Sequence, residues 1–269
     1  MKWGDFFQGH IGDHKVMDKI FSKYDIEAVI HFAAYAYVGE SVTNPRKYYN
    51  NNLCGTFGLL DCMLDCGIKK IIFSSTCATY GLPQRIPIDE THPQKPISPY
   101  GKSKFMIEEI LKDYDKAYGM RFISLRYFNA AGADPDGELG EEHKPETHLI
   151  PLVLEVAGGH SKNLRVFGSD YETEDGSCIR DYIHVTDLAR AHVLALENKL
   201  DGGTSDFINL GRGKGYSVLQ DIQKSELITG RDKKNTVTER RTAQPPVFIT
   251  SKDKSQQYLS LIHNRHRRR

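Results

Sequence analysis

The chain has 269 residues, 39% of them hydrophobic, and a formal net charge of +1. That length builds one large domain or two modest ones, and the balance describes an ordinary globule, not a disordered chain or a dedicated nucleic-acid binder. No apolar run approaches the roughly 18 residues of a membrane-spanning helix, and the first residues lack the basic-then-apolar pattern of a secretory signal. Five cysteines, an odd number without framework spacing, point to free thiols and a reducing, cytoplasmic setting. Cys62 and Cys66 share a predicted helix, but no second pair of ligands lies near them in the sequence, so no metal site is expected.

In chain order, hydrophobic spacing predicts a helix over His14–Lys23, a strand over 28–33, a long helix over 45–66 and a strand over 71–75. A helix over Pro99–Tyr118 and a strand over 121–128 follow. Such alternation is the signature of an α/β fold with a doubly wound parallel sheet. After about residue 132 the pattern turns irregular and rich in Gly, Pro and charge. There, strand-like stretches 163–167 and 207–210 are separated by a helix beginning near Thr186.

The stretch 71–104 carries the chemistry. Ile71-Ile72-Phe73 runs unbroken into Ser74-Ser75-Thr76, as expected of a strand buried on both faces that ends in hydroxyls. Ser98 then caps a helix whose first turn contains Pro99. On it, Tyr100 and Lys104 are four apart and share a face with Ile107 and Leu111. An ammonium beside a phenol favours the phenolate, and a tyrosine so tuned can act as a general base near neutral pH. A hydroxyl at the end of the preceding strand can hold a substrate hydroxyl or relay its proton. Tyr-x-x-x-Lys by itself is a common spacing on ordinary helices; the strand-terminal hydroxyls about two dozen residues upstream make it specific. Parallel sheets bind ligands at the carboxyl ends of their strands, and Ala33-Ala34, Thr76 and Asn129 each follow a predicted strand.

Ser74-Ser75-Thr76 with Tyr100-x-x-x-Lys104 resembles the extended short-chain dehydrogenase/reductase family that acts on nucleotide sugars, and within it the UDP-glucose 4-epimerases. The likeness extends through His31-Phe32-Ala33-Ala34, Val38-Gly39-Glu40-Ser41, Tyr48-Tyr49-Asn50-Asn51-Asn52, Arg126-Tyr127-Phe128-Asn129 and Arg180-Asp181-Tyr182-Ile183-His184-Val185, and covers roughly residues 7–254. It implies a Rossmann-like fold, tightly bound NAD and interconversion of UDP-glucose and UDP-galactose by reversible oxidation at sugar C4. Tyr100 would be the base, Thr76 would hold the sugar hydroxyl, and Lys104 would lower the Tyr100 pKa and hold the nicotinamide ribose. The implied cofactor contacts are His10, Ile11, Phe32, Ala33, Ala34, Tyr35, Asn51 and Phe128, together with Thr76, Tyr100 and Lys104.

For the UDP-sugar, the resemblance implies Tyr127, Asn129 and His148 near sugar and phosphate, and Leu149, Arg165, Val166 and Phe167 along the uridine. Thr76 and Tyr100 also belong to this set. Arg180 and Arg241 would clamp the diphosphate, a task that suits the guanidinium fork. Phe248 would limit room at the 2-position and favour the glucose and galactose forms over their N-acetylated counterparts. There are departures: His148 stands where Asn is usual, His10 and Gln244 where Asp is usual, and Ala36 where some members have Lys. Simpler roles stay open for several positions. Phe128, Val166 and Phe167 fit a core, Arg180 fits an ion pair with Asp181, and Asn129 fits a turn cap.

The resemblance further implies an NAD-binding region over 1–132, a substrate region over 133–255 interleaved with the end of the sheet, and a basic tail over 256–269. A homodimer through the helices at 45–66 and 99–118 is expected. No Gly-x-x-Gly-x-x-Gly occurs near the start, so the first strands and the Gly-rich turn are expected to be missing, as in a fragment or an inactive paralogue. A 4,6-dehydratase would need an acid and a base where this chain has Cys77 and Ala78; a UDP-pentose epimerase remains open.

Overall fold

The computed structural model describes residues 4–161, 163–231, 235–241 and 245–259. Gln244 and residues 260–269 of the expected basic tail lie outside the described residues. The chain divides into two compact units. The first comprises Met1–Gly81, Gln94–Arg126 and His192–Ile208; the second comprises Leu82–Pro93, Tyr127–Ala191 and Asn209–Arg269.

The first unit begins with α1 (His14–Lys23), β1 (Val29–His31), α2 (Val38–Thr43) and α3 (Pro45–Tyr48). A π-helical segment Tyr49–Cys54 leads into α4 (Gly55–Asp65), and β2 (Lys70–Thr76) ends in a 3₁₀ turn over Cys77–Thr79. Then come α5 (Pro99–Tyr118) and β3 (Arg121–Tyr127). The sheet runs β1-β2-β3-β7, with β7 at Asp206–Leu210. β1 and β2 are parallel, with Val29 opposite Ile71 and His31 opposite Phe73. This is the parallel α/β sheet that the strand–helix alternation predicts.

Local chemistry sets the element ends. Ser98 Oγ accepts from Gly101 N at 3.1 Å, Pro99 occupies the first turn, and Gly119 ends α5 in the left-handed conformation at φ 69°. Asp13 caps α1 through Lys15 N at 3.0 Å. Leu59, Leu60, Met63, Ile71, Phe73, Ile107, Leu111 and Phe122 form one buried cluster between strands and helices. Each such side chain, fully buried, stabilises the fold by about 2 kcal/mol.

The helix expected over 45–66 is not continuous. It is α3, a π segment and α4. The wider turn aims Asn52 inward: its Oδ1 accepts from Tyr35 N at 2.8 Å, and its Nδ2 donates to Tyr35 O at 2.9 Å and Ser103 Oγ at 3.3 Å. A π-bulge of this kind costs regular hydrogen bonding and persists where a side chain must be re-aimed.

The second unit contains β4 (Asn129–Ala131), α6 (Leu149–Gly158), β5 (Leu164–Phe167) and β6 (Ile179–His184), from which α7 (Val185–Leu200) follows directly. It continues with β8 (Gly215–Ser217), α8 (Val218–Thr229), β9 (Asn235–Thr238), β10 (Val247–Phe248) and α9 (Asp253–Leu259). One sheet runs β10-β6-β4 with β8 antiparallel on β6, and β5 pairs with β9. Val153, Leu164, Val166 and Ile222 form its core. None of the described helices is long and apolar enough to cross a membrane, and all five cysteines are free.

His31 is buried in β1, its Nε2 2.8 Å from Thr56 Oγ1. Burial, reinforced by the Lys104 charge, lowers its pKa to about 3. The unfolded chain therefore binds a proton there between about pH 6.5 and 3 that the folded chain refuses. Stability is fully present above pH 6.5 and falls as the pH drops through that window. In urea titrations at pH 7 and pH 4, the wild type should lose roughly 3 kcal/mol more than H31Q, and equal losses would contradict a neutral buried imidazole.

Candidate functional site

The site is built where β2 ends and α5 begins, both in the first unit. β2 is buried along nearly its whole length, so its terminal residues arrive in a fixed place. Thr76 is 6% exposed, and its Oγ1 accepts from Ala78 N at 3.2 Å as the chain turns. That leaves the hydroxyl hydrogen to donate.

Lys104 projects from the second turn of α5 into this corner and is 3% exposed. Its Nζ donates to Ser74 O at 2.7 Å and lies 4.7 Å from the centre of the Phe73 ring. Burial drives its pKa down to about 7, opposed by the negative charge of Glu108 one turn on. Tyr100 sits one turn before it, 7% exposed. Ser103 Oγ donates to Tyr100 O at 2.8 Å and links that turn to Asn52.

Gly101 explains how the helix gets so close. A Cβ built there would stand 2.5 Å from Ala78 O, so only glycine lets the first turn of α5 press onto the 3₁₀ turn after Thr76. Lys104 on the carbonyl two residues before Thr76, and Gly101 on the carbonyl two residues after it, hold strand end and helix start together. Tyr100 and Lys104, paired by spacing, and Thr76, chosen by the resemblance, thus share one corner of the first unit.

The loop after β1 carries the next group. Phe32 is 56% exposed and Tyr35 42% exposed, with Ala33 also exposed and Ala34 half-buried between them. Phe32 packs against His192 with ring centroids 4.5 Å apart, and His192 Nε2 lies 2.8 Å from Ser74 Oγ. Asn51 donates to Asn52 Oδ1 at 3.0 Å, behind the Tyr35 backbone. His10 is exposed and Ile11 half-buried in the turn before α1; His10 Nδ1 accepts from Gly12 N at 3.0 Å.

In the second unit, the predicted substrate residues fall into three groups. Phe128 and Phe248 meet edge-on at 5.9 Å, with the Arg180 guanidinium 6.0 Å from the Phe248 ring. The Phe167 ring has the Arg241 guanidinium at 3.9 Å and that of Arg165 at 5.7 Å. His148 belongs to a third group: it bonds Glu141, which also takes His143 Nδ1 at 3.0 Å. Glu141, His143, Glu146 and His148 have their donor and acceptor atoms within 4.8 Å of one another, a cluster that sequence spacing does not announce. Tyr127 is half-buried at the end of β3.

Several of these side chains also hold the unit together. Arg180 donates to Ile179 O at 2.7 Å, Pro245 O at 2.9 Å and Pro246 O at 3.3 Å. Its neighbour Asp181 is committed elsewhere, accepting from the amides of Arg212 and Gly213 at 2.7 and 2.9 Å. Asn129 donates to Asp181 O at 3.1 Å. Val166 is 1% exposed in the core and Leu149 packs against that cluster, so Val166 can meet a ligand only through its backbone. Sequence reasoning missed Asn52, His192 and the carbonyl of Ser74. The Asn50-Asn51-Asn52 run was the only signal for the first, and nothing local marks the other two.

Comparison with known proteins agrees with this architecture. The profile of the NAD dependent epimerase/dehydratase family matches residues 2–211. A UDP-glucose 4-epimerase of Halalkalibacterium halodurans is 51% identical over 254 residues, 94% of this chain and 76% of that protein. Among solved structures, the UDP-glucose 4-epimerase from Brucella ovis in complex with NAD superposes with a TM-score of 0.93 at 51% identity, covering 97% of this chain and 80% of that one. The Bifidobacterium longum UDP-glucose 4-epimerase in complex with NAD+ and UDP gives 0.91 at 40% identity, covering 95% and 77%.

The packing of Gly101 on Ala78 generates a direct test. G101A should cost about 2 kcal/mol of stability through overpacking, and should lower any Tyr100-dependent turnover more than tenfold. A variant with wild-type stability and turnover would show that the strand end and helix start are not held in this contact.

Proposed function

The chain belongs to the NAD dependent epimerase/dehydratase family, and from that membership we propose that it interconverts UDP-glucose and UDP-galactose by reversible oxidation at sugar C4, with NAD held throughout. The observation that carries this reading is the buried corner of Thr76, Tyr100 and Lys104, with the ammonium fixed 2.7 Å from Ser74 O.

The chain's own residues fit NAD. Phe32 and Tyr35 leave aromatic surface open at the carboxyl end of a parallel strand, next to the small side chains of Ala33 and Ala34. In our reading this loop and Asn51 would line the nicotinamide half, Tyr100 and Lys104 would hold its ribose, and His10 and Ile11 would lie towards the adenine; from the resemblance, Phe128 is assigned to the cofactor as well. When bound, NAD takes up hydride from sugar C4 and gives it back.

The protein manages the proton. Thr76 donates to the sugar 4-oxygen and holds it against Tyr100. Tyr100, as phenolate, takes the 4-hydroxyl proton while C4 is oxidised, and returns it after the 4-keto sugar has turned over in the pocket. Lys104 stabilises the phenolate, because opposite charges attract strongly in a corner shielded from water. Cys77 and Ala78 provide no acid–base pair beside Thr76, which favours epimerisation over loss of water.

For the UDP-sugar we assign Arg180 and Arg241 to the diphosphate, Leu149, Arg165, Val166 and Phe167 to the uridine, and Tyr127, Asn129 and His148 to sugar and phosphate. Phe248 limits the 2-position. Residues 1–132 serve the cofactor and 133–255 mainly the substrate. We also assign a homodimer through the helical faces of α4 and α5, and a cytoplasmic setting that suits five free thiols.

The purified chain should convert UDP-galactose to UDP-glucose and release NAD on denaturation. Y100F should keep the fold and lose about a thousandfold in turnover. A folded chain with neither NAD nor turnover would overturn the proposal. F248A should raise the rate with UDP-N-acetylglucosamine relative to UDP-glucose; an unchanged ratio would remove Phe248 from any role in specificity.

A further inference from the structure

Glu108 is fully buried on α5, one turn beyond Lys104, and the chemistry described so far makes no use of it. Its carboxylate accepts from Ser75 Oγ at 2.6 Å, from Ser124 Oγ and Arg126 Nε at 2.9 Å each, and from Arg126 Nη2 and Gln94 Nε2 at 2.7 Å each. Arg126, 3% exposed, also donates to the Tyr80 hydroxyl at 3.0 Å. Strands β2 and β3, helix α5 and the segment before α5 therefore all converge on one carboxylate. Stability alone does not call for such a group, because well-packed apolar residues often replace a buried ion pair without loss. What a saturated buried carboxylate adds is a fixed relation between the elements that donate to it.

We propose that Glu108 is a positioning residue for the reaction at Tyr100, fixing the segment Ser74–Thr76 at the end of β2 against the helix that carries Tyr100 and Lys104. This inference rests on the roles of Tyr100, Lys104 and Thr76 in the proposed function. Ser75 is the middle residue of that segment, and its hydroxyl is tied to Glu108. On one side of it the carbonyl of Ser74 receives Lys104; on the other side stands Thr76. A shift of Ser75 would move both partners of the catalytic lysine and tyrosine together.

Glu108 also supplies charge. Lys104 has Tyr100 four residues before it and Glu108 four residues after it on its own helix, and is faced by the Phe73 ring and Ser74 carbonyl from β2 and by His31 from β1. His31 stays neutral down to about pH 3, so the Glu108 carboxylate is what opposes the loss of the Lys104 proton.

The test uses the full chain with [13Cε]lysine, reading the Lys104 titration by NMR (assigned with K104R), together with the pH dependence of kcat and KM for UDP-galactose. E108Q should lower the Lys104 midpoint by about one pH unit, pull down the alkaline limb of kcat equally, and reduce kcat about tenfold with KM within about twofold. E108Q/R126M removes both buried charges while keeping an acceptor for Ser75. It should shift the midpoint in the same direction, and it decides the question if E108Q alone does not fold. S124A removes one neutral donor and should leave the midpoint and the profile in place. A folded E108Q/R126M with the wild-type midpoint overturns the proposal, and so does an S124A shift as large as that of E108Q. Should the wild type show no turnover, the epimerase reading falls, while the Lys104 midpoint still decides the role of Glu108.

Discussion

A lysine ammonium taken out of water has to find a compensating acceptor, and in this chain it finds the carbonyl of Ser74, 2.7 Å away at the end of a buried strand. The rest of the first unit is arranged around that bond. β2 is apolar enough to be fixed in place, so its last carbonyls and hydroxyls sit at known positions. Glycine at position 101 lets the first turn of α5 approach without a side chain in the way. The cost of burying the charge is visible in the depressed pKa of Lys104, about 7. A fold does not carry that cost for packing, since a methionine would fill the same space. In the proposed function the buried charge serves chemistry that needs a cation beside a phenol.

Much of this corner was legible in the sequence because its determinants are local. Ser98, Pro99 and Gly119 are start and stop signals, and α5 spans the residues between them as expected. The Ile71-Ile72-Phe73 run has the pattern of a doubly buried strand, and the four-residue spacing put Tyr100 and Lys104 on one face. The π segment at Tyr49–Cys54 was not legible, since hydrophobic periodicity cannot show one added residue per turn inside a helix. Glu108 was hidden for another reason. A glutamate on an apolar helix face reads as a boundary residue until β3 is seen to bring Ser124 and Arg126 to it.

The second unit was harder to read. Its strands β4, β6, β8 and β10 are two to six residues long and defined by partners far away in sequence, such as Asn129 opposite Tyr182 and Val247 opposite Ile179. Short strands of this sort leave almost no periodic signal. Its candidate ligand residues came from the resemblance, and the structure shows how many have structural duties too. Arg180 is anchored on backbone carbonyls, a rigid mounting that would pre-set its guanidinium for a diphosphate and cut the entropy lost on binding.

In the proposed reaction, one buried corner takes and returns the 4-hydroxyl proton while NAD, when bound, would accept hydride from sugar C4 and return it to the same carbon. UDP-galactose carrying deuterium at C4 tests this most directly. The expected product is UDP-glucose with the deuterium still at C4 and none in the solvent, because the cofactor stays bound and hydride, unlike the hydroxyl proton on Tyr100, does not exchange with water. Product formed with the label lost to solvent would mean that C4 is deprotonated rather than oxidised, and would contradict the roles of Tyr100, Thr76 and Lys104 in the reaction.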